Sequence, residues 1–159
     1  MRRFARSFLW GTFLLYTFVL IKLLFLRVRF ADTNLLHHIN LIPFRTLFGY
    51  IEKIANNRIN PDTAIENLIG NLILFFPMGC YLPCLSAKVR KLGKFLLILL
   101  GILVGAEVLQ WLLCVGSFDV DDLIFNLFGA MMGYLTVRIS FVNRLLTRTY
   151  LYETEKNPS

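Results

Sequence analysis

Glu107, Asp119 and Asp122 are carboxylic acids set within or beside long apolar runs, and Asn67, Asn71, Gln110 and Asn126 are carboxamides in the same surroundings. Such groups are costly against hydrocarbon, so they turn inward, pair, or mark a functional site. Asn67 and Asn71 are four residues apart, Glu107 and Gln110 three, and Asp122 and Asn126 four, so each pair shares one helix face. Three carboxylates suit a hard divalent cation, and two can divide the work of acid and base. The plainer roles are equally physical. Asp119 suits a helix N-cap with Asp122 three residues later in a capping-box-like place, and the amides suit hydrogen-bond glue between helices. Glu107 resists the plain reading, because a carboxylate that far into an apolar run is protonated, paired or bound to a ligand. A nucleophile is harder to find. Ser117 is the only serine near these acids and has no histidine beside it, His37 and His38 are adjacent without a third ligand, and Cys80, Cys84 and Cys114 match no zinc spacing. That favours binding over catalysis and leaves the cysteines as packing residues.

The elements that position these side chains are set by composition. Hydrophobic residues make up 57% of the 159, and charged residues only 17%. A soluble domain carries about a quarter charged residues. The apolar residues gather in four blocks, about 7–26, 64–85, 95–113 and 122–142, each near the roughly 20 residues that cross a bilayer core. The expected fold is therefore an all-α polytopic membrane bundle with about four transmembrane helices, in a single domain spanning 1–159 with no internal repeat.

A net charge of +7 does not indicate nucleic acid here, because the basic residues lie where membrane anchors are needed. Arg2, Arg3 and Arg6 precede the first block; Lys88, Arg90, Lys91 and Lys94 fill the second loop; Arg138, Arg144, Arg148 and Lys156 lie at the end of the last block and beyond it. This places both termini in the cytoplasm, with 143–159 as a cytoplasmic tail, and puts eleven of seventeen basic residues inside and eight of ten acids outside. Arg27, Arg29, Arg45, Lys53 and Arg58 then lie outside in the first loop, against the general trend. The opening Met-Arg-Arg and its apolar run lack a small-residue cleavage site, so a retained signal anchor is expected, with Lys22 snorkelling to the interface.

The first loop has its own pattern. Leu47, Phe48, Ile51, Ile54 and Ala55 recur at helical spacing, which predicts a short interfacial helix on the outer side. Before it, the apolar stretch from Asn40 to Arg45 is interrupted by Pro43 and either dips into the outer leaflet or caps the bundle. Asn60-Pro61-Asp62 reads as the start of the second span, and Pro77 within that span should kink it or free a carbonyl. At a rise of about 1.5 Å per residue, Asn71 lies about 10 Å, Glu107 about 9 Å and Asn126 about 6 Å below the outer helix ends. Three helices thus bring polar groups to one depth beneath Asp119, Asp121 and Asp122, of which Asp121 is expected to face another side of its helix and to matter little. Gly101/Gly105 and Gly129/Gly133 allow close helix approach.

Asn40-Leu41-Ile42-Pro43-Phe44, Asn67 to Asn71, Phe76 to Gly79, Glu107 to Gln110, and Phe118 through Asn126 to Gly129 together resemble the VanZ family of bacterial membrane proteins. The order and spacing match over about 40–135, with the family core at about 40–140. The D-x-x-D-x-x-x-N-x-x-G run beside an upstream E-x-x-Q is the specific part. One departure is Gly116, where family members often carry an arginine three residues before the first aspartate. In its place Arg45 is the basic residue expected to meet the acids, unless a bound ion does so.

The resemblance implies a multi-pass bacterial cell-membrane protein, with a founding member associated with low-level resistance to the glycopeptide teicoplanin. The leading reading is a non-enzymatic protein that lowers glycopeptide susceptibility or tunes the cell envelope. Asn67, Asn71, Glu107, Gln110, Asp119, Asp122, Asn126 and Arg45 would recognise membrane lipid, a lipid-linked wall precursor or a lipoglycopeptide. One alternative is a membrane enzyme acting on a lipid-linked or phosphorylated envelope substrate, with a divalent cation, the only cofactor these residues suggest, held by Glu107, Asp119 and Asp122. Another is a small oligomeric transporter. It is disfavoured by the absence of an inverted repeat and by the wholly apolar inner half of the third span, although a homo-oligomer stays open.

Overall fold

A computed structural model describes residues 2–26 and 39–139. Arg27, Arg29, His37, His38 and the tail from 143 onward lie outside the described residues. Five helices dominate: α1 (Arg2–Phe25), α2 (Arg45–Ala55), α3 (Pro61–Leu85), α4 (Leu92–Leu112) and α5 (Val120–Arg138). Two short strands, β1 (Ile39–Asn40) and β2 (Phe118–Asp119), and a 3-10 turn at Ala87–Arg90 complete the order. All of these helices except α2 are long and apolar enough to cross a membrane, as the four apolar blocks predict.

The helix ends follow local chemistry. Asn60 caps α3 by accepting from the Asp62 backbone N–H at 3.1 Å, and Pro61 occupies the first turn, where no N–H is needed. α3 then continues through both Pro77 and Pro83 to Leu85. α4 ends at a left-handed Cys114 (φ 54°), with Val115 N–H donating to the Gln110 carbonyl at 3.0 Å and Cys114 N–H to Trp111 at 3.1 Å. That is a Schellman closure with cysteine where glycine is usual. α2 closes in the same way on left-handed Asn57, with Arg58 N–H donating to Lys53 at 2.8 Å.

The closest packing is between α3 and α5, and glycine makes it possible. A Cβ built at Gly129 would lie 2.0 Å from the Leu72 carbonyl oxygen, one at Gly133 2.0 Å from that of Phe76, and one at Gly79 1.9 Å from that of Ala130. The Gly129/Gly133 pair is therefore a backbone-to-backbone contact. Gly101 and Gly105 have nothing within reach of a Cβ and lie exposed on α4. Phe95, Leu99 and Leu103 of α4 join Phe75, Met78, Ala130 and Tyr134 in the core, with Phe95 stacked on Tyr134 at 4.3 Å. α1 covers this core loosely. Its Tyr16 donates to the Leu74 carbonyl at 2.7 Å and stacks on Tyr81 at 5.6 Å, while most of its large apolar side chains face outward, as lipid contact requires.

Antiparallel connections bring the end of α1, the start of α3, the end of α4 and the start of α5 to one end of the bundle. β1 and β2 meet there in parallel, Ile39 opposite Phe118 and Asn40 opposite Asp119.

Candidate functional site

The β1–β2 pairing places 39–47 against the first turn of α5. Ile42-Pro43-Phe44-Arg45 turns tightly, with Arg45 N–H donating to the Ile42 carbonyl at 3.3 Å and Phe44 in the left-handed region at φ 65°. Proline followed by a positive φ is the pattern of a type II turn, in which the second place normally takes glycine. A non-glycine residue there costs about 1–3 kcal/mol and needs support from its surroundings. The support comes from Asp121.

Phe44 is the N-cap position of α2 but has no side-chain oxygen to offer the first turn. Asp121, from α5, supplies the missing acceptors. Its Oδ2 accepts from Thr46 N–H at 2.8 Å and Leu47 N–H at 3.2 Å, and its Oδ1 accepts from Phe44 N–H. Thr46 and Leu47 carry the two N–H groups an N-cap side chain serves, and a negative charge suits the positive end of a helix dipole. With 1% exposure, Asp121 is the most buried acid of the cluster. The local helical reading put Asp121 apart from Asp119 and Asp122; the structure corrects this, because the loop packs over the helix start and encloses Asp121 as well.

Asp119 caps α5, its Oδ1 accepting from Asp121 N–H at 2.9 Å, so the capping expectation holds. It also binds the loop, accepting from Asn40 Nδ2 at 3.0 Å and from the Thr46 hydroxyl at 2.5 Å. Beneath it, Glu107 (4% exposed) accepts from Asp119 N–H at 3.3 Å, and Asn71 Nδ2 donates to Asp122 Oδ1 at 2.5 Å. Asn126, one turn further along α5, is buried, and its Oδ1 has no donor. Helices α3, α4 and α5 thus contribute Asn71, Glu107, Asp119, Asp122 and Asn126 to one polar region roofed by the loop and α2.

Three of the residues singled out from sequence lie outside this network, two of them bonded elsewhere. Asn67 donates to the Thr63 carbonyl of its own helix at 2.8 Å, and Gln110 donates to the Leu24 carbonyl of α1 at 3.0 Å. Arg45 is exposed, and the acids below it are met by backbone N–H, amide and hydroxyl donors. Gly116 packs on Gln110, where a Cβ would approach the Gln110 Cβ to 3.2 Å. An arginine there would have to displace a side chain already committed to α1. Among the described residues, no group of three or more His, Cys, Asp or Glu is arranged to hold a metal ion.

Sequence reasoning missed Thr46 and the loop-capping role of Asp121. The available signal was the N-terminus of the loop helix, which follows Pro43-Phe44 and lacks a capping side chain of its own, so its orphan N–H groups required an acceptor from another segment.

Fold and site together define a multi-pass, all-α membrane protein whose buried acids clasp a loop helix onto one end of a four-helix bundle. The sequence matches the VanZ/LLP1 family over residues 13–142, and the chain belongs to that family. Protein VanZ of Enterococcus faecium is 30% identical over 91 residues, which cover 55% of this chain and 55% of that protein. The chain thus spans about half the length of this curated relative. No solved structure matches the chain.

Proposed function

We propose that this chain is a non-enzymatic cell-envelope protein that lowers susceptibility to lipid-linked glycopeptides such as teicoplanin, with both termini cytoplasmic and the α2 end outside. In this reading the polar region under α2 recognises a lipid-linked wall precursor or the drug. The observation that carries it is the set of acceptors, buried Glu107 and Asn126 and half-buried Asp122, gathered from two helices beneath a roof that is itself tied down by Asp119 and Asp121. Acceptors held in a low-dielectric surrounding are suited to a ligand that brings donors or positive charge. The family match adds the envelope context.

The test is expression in a susceptible Gram-positive host, with teicoplanin and vancomycin inhibitory concentrations measured side by side and normalised to protein in the membrane fraction. The teicoplanin value should rise above that of the empty host. Glu107→Gln should abolish the rise while membrane abundance is preserved. No shift at confirmed abundance would remove the resistance reading, and a fully active Glu107→Gln would reduce Glu107 to a structural role.

A further inference from the structure

The end of the bundle opposite α2 has the reverse electrostatic character. Arg6, Lys88, Lys91, Lys94 and Arg138 are exposed there, and Arg90 is half-buried among them. No acid occurs in 2–26, 72–106 or 127–139, so among the described residues nothing at this end offsets the charge. Basic residues that merely fix topology need only be present near the membrane; they need no particular geometry. Here two of them are built into the fold.

Arg138 is held by its neighbours. Its Nη2 donates to the Arg90 carbonyl, and its guanidinium lies 4.9 Å over the Tyr134 ring, which is itself stacked on Phe95. The Tyr134 hydroxyl donates to the same Arg90 carbonyl at 2.7 Å, and Arg90 Nε donates to the Pro83 carbonyl at 3.3 Å. The end of α3, the 3-10 turn, the start of α4 and the end of α5 are therefore sewn together around two arginines. Lys88, Lys91 and Lys94 stand exposed on the adjoining turn and helix start. A fixed guanidinium presents a planar fork that matches phosphate oxygens, and fixing it in advance reduces the ordering cost of binding.

We propose that this end of the bundle is a binding surface for the headgroup of an anionic phospholipid, with Arg138 as the pre-organised phosphate contact and Lys88, Lys91 and Lys94 as the surrounding charge. The occupant is a lipid of the adjoining leaflet because the patch sits where apolar helix faces end: Leu97 and Leu135 are exposed one to two turns from it and would accompany the acyl chains. This inference is independent of the resistance reading.

The test is native mass spectrometry of the full chain in detergent with equimolar phosphatidylglycerol and phosphatidylcholine of the same acyl chains. Phosphatidylglycerol adducts should predominate. Each basic side chain near such a surface contributes about fivefold, so Lys88→Gln/Lys91→Gln/Lys94→Gln should reduce the preference on the order of a hundredfold. Arg138→Lys, which keeps the charge but loses the fork, should fall between that variant and the unaltered chain. A titration that needs no variant complements these: approaching 1 M salt, where the screening length is about 3 Å, the preference should vanish. Inorganic phosphate at the lipid concentration should not displace the adduct. Equal retention of the two lipids, a preference insensitive to salt, one unchanged in the triple variant, or displacement by inorganic phosphate would each overturn the proposal.

Discussion

Asp121→Asn is the substitution that most directly tests how the loop helix is held. The carboxylate accepts from three backbone N–H groups, two on Oδ2 and one on Oδ1. Asparagine keeps one acceptor oxygen and turns an NH2 group toward the donors that faced the other, so at least one bond is lost and a donor is left facing a donor. Hydrogen bonds to charged groups contribute about 1.5–3 kcal/mol each, and a buried unsatisfied group adds a penalty of similar size, so roughly 2–4 kcal/mol of docking free energy should go. Asp119→Asn should cost only about 1 kcal/mol, because an asparagine oxygen still caps α5 and the Thr46 hydroxyl can reverse from donor to acceptor. Hydrogen exchange of the amides at 44–50, in protein reconstituted in nanodiscs, reads the difference. Exchange should accelerate by roughly 30-fold or more in Asp121→Asn and by less than about tenfold in Asp119→Asn. Unchanged protection in Asp121→Asn, or the opposite ranking, would refute the capping of α2 by α5.

Gly129→Ala and Gly133→Ala should each destabilise the bundle by about 3 kcal/mol or more, since the added Cβ meets backbone oxygen at 2.0 Å. Gly101→Ala should be tolerated; thermal unfolding in detergent distinguishes the two faces, and equal effects would contradict the α3–α5 contact. Tyr16→Phe removes the hydrogen bond to the Leu74 carbonyl and should cost about 1 kcal/mol by the same assay, loosening α1 without altering the α3–α5 pair. A cytoplasm-active reporter fused after Ser159 should be active and a periplasm-active one silent; the reverse pattern would place the α2 end inside.

The four spans were legible because apolar residues in blocks of about 20 allow few other folds, and the start of α3 was legible because Asn60, Pro61 and Asp62 each act locally. The loop helix was legible from the spacing of Leu47, Phe48, Ile51 and Ile54. What sequence hid is long-range. The Gly101/Gly105 and Gly129/Gly133 pairs have the same spacing, and only the packing shows which of them meets a backbone. Asn67 and Gln110 share faces with Asn71 and Glu107 by helical arithmetic, yet side-chain reach sends one to its own helix and the other to α1. The role of Asp121 depends on a segment 75 residues earlier, beyond any local periodicity.

That separation also sets an order of assembly. When Arg45 to Ala55 leave the ribosome, the carboxylate that will cap them has not been made; Thr46 and Asp121 are 75 residues apart, and at about 5–20 residues per second the wait is on the order of 4–15 s. During that interval the loop helix carries unmet N–H groups and an amphipathic face, and its natural refuge is the membrane surface. Only when α5 is inserted can 39–47 be drawn onto the bundle. The clasp thus closes only after α5 has been made and inserted, and its closure reports that α5 has reached its place.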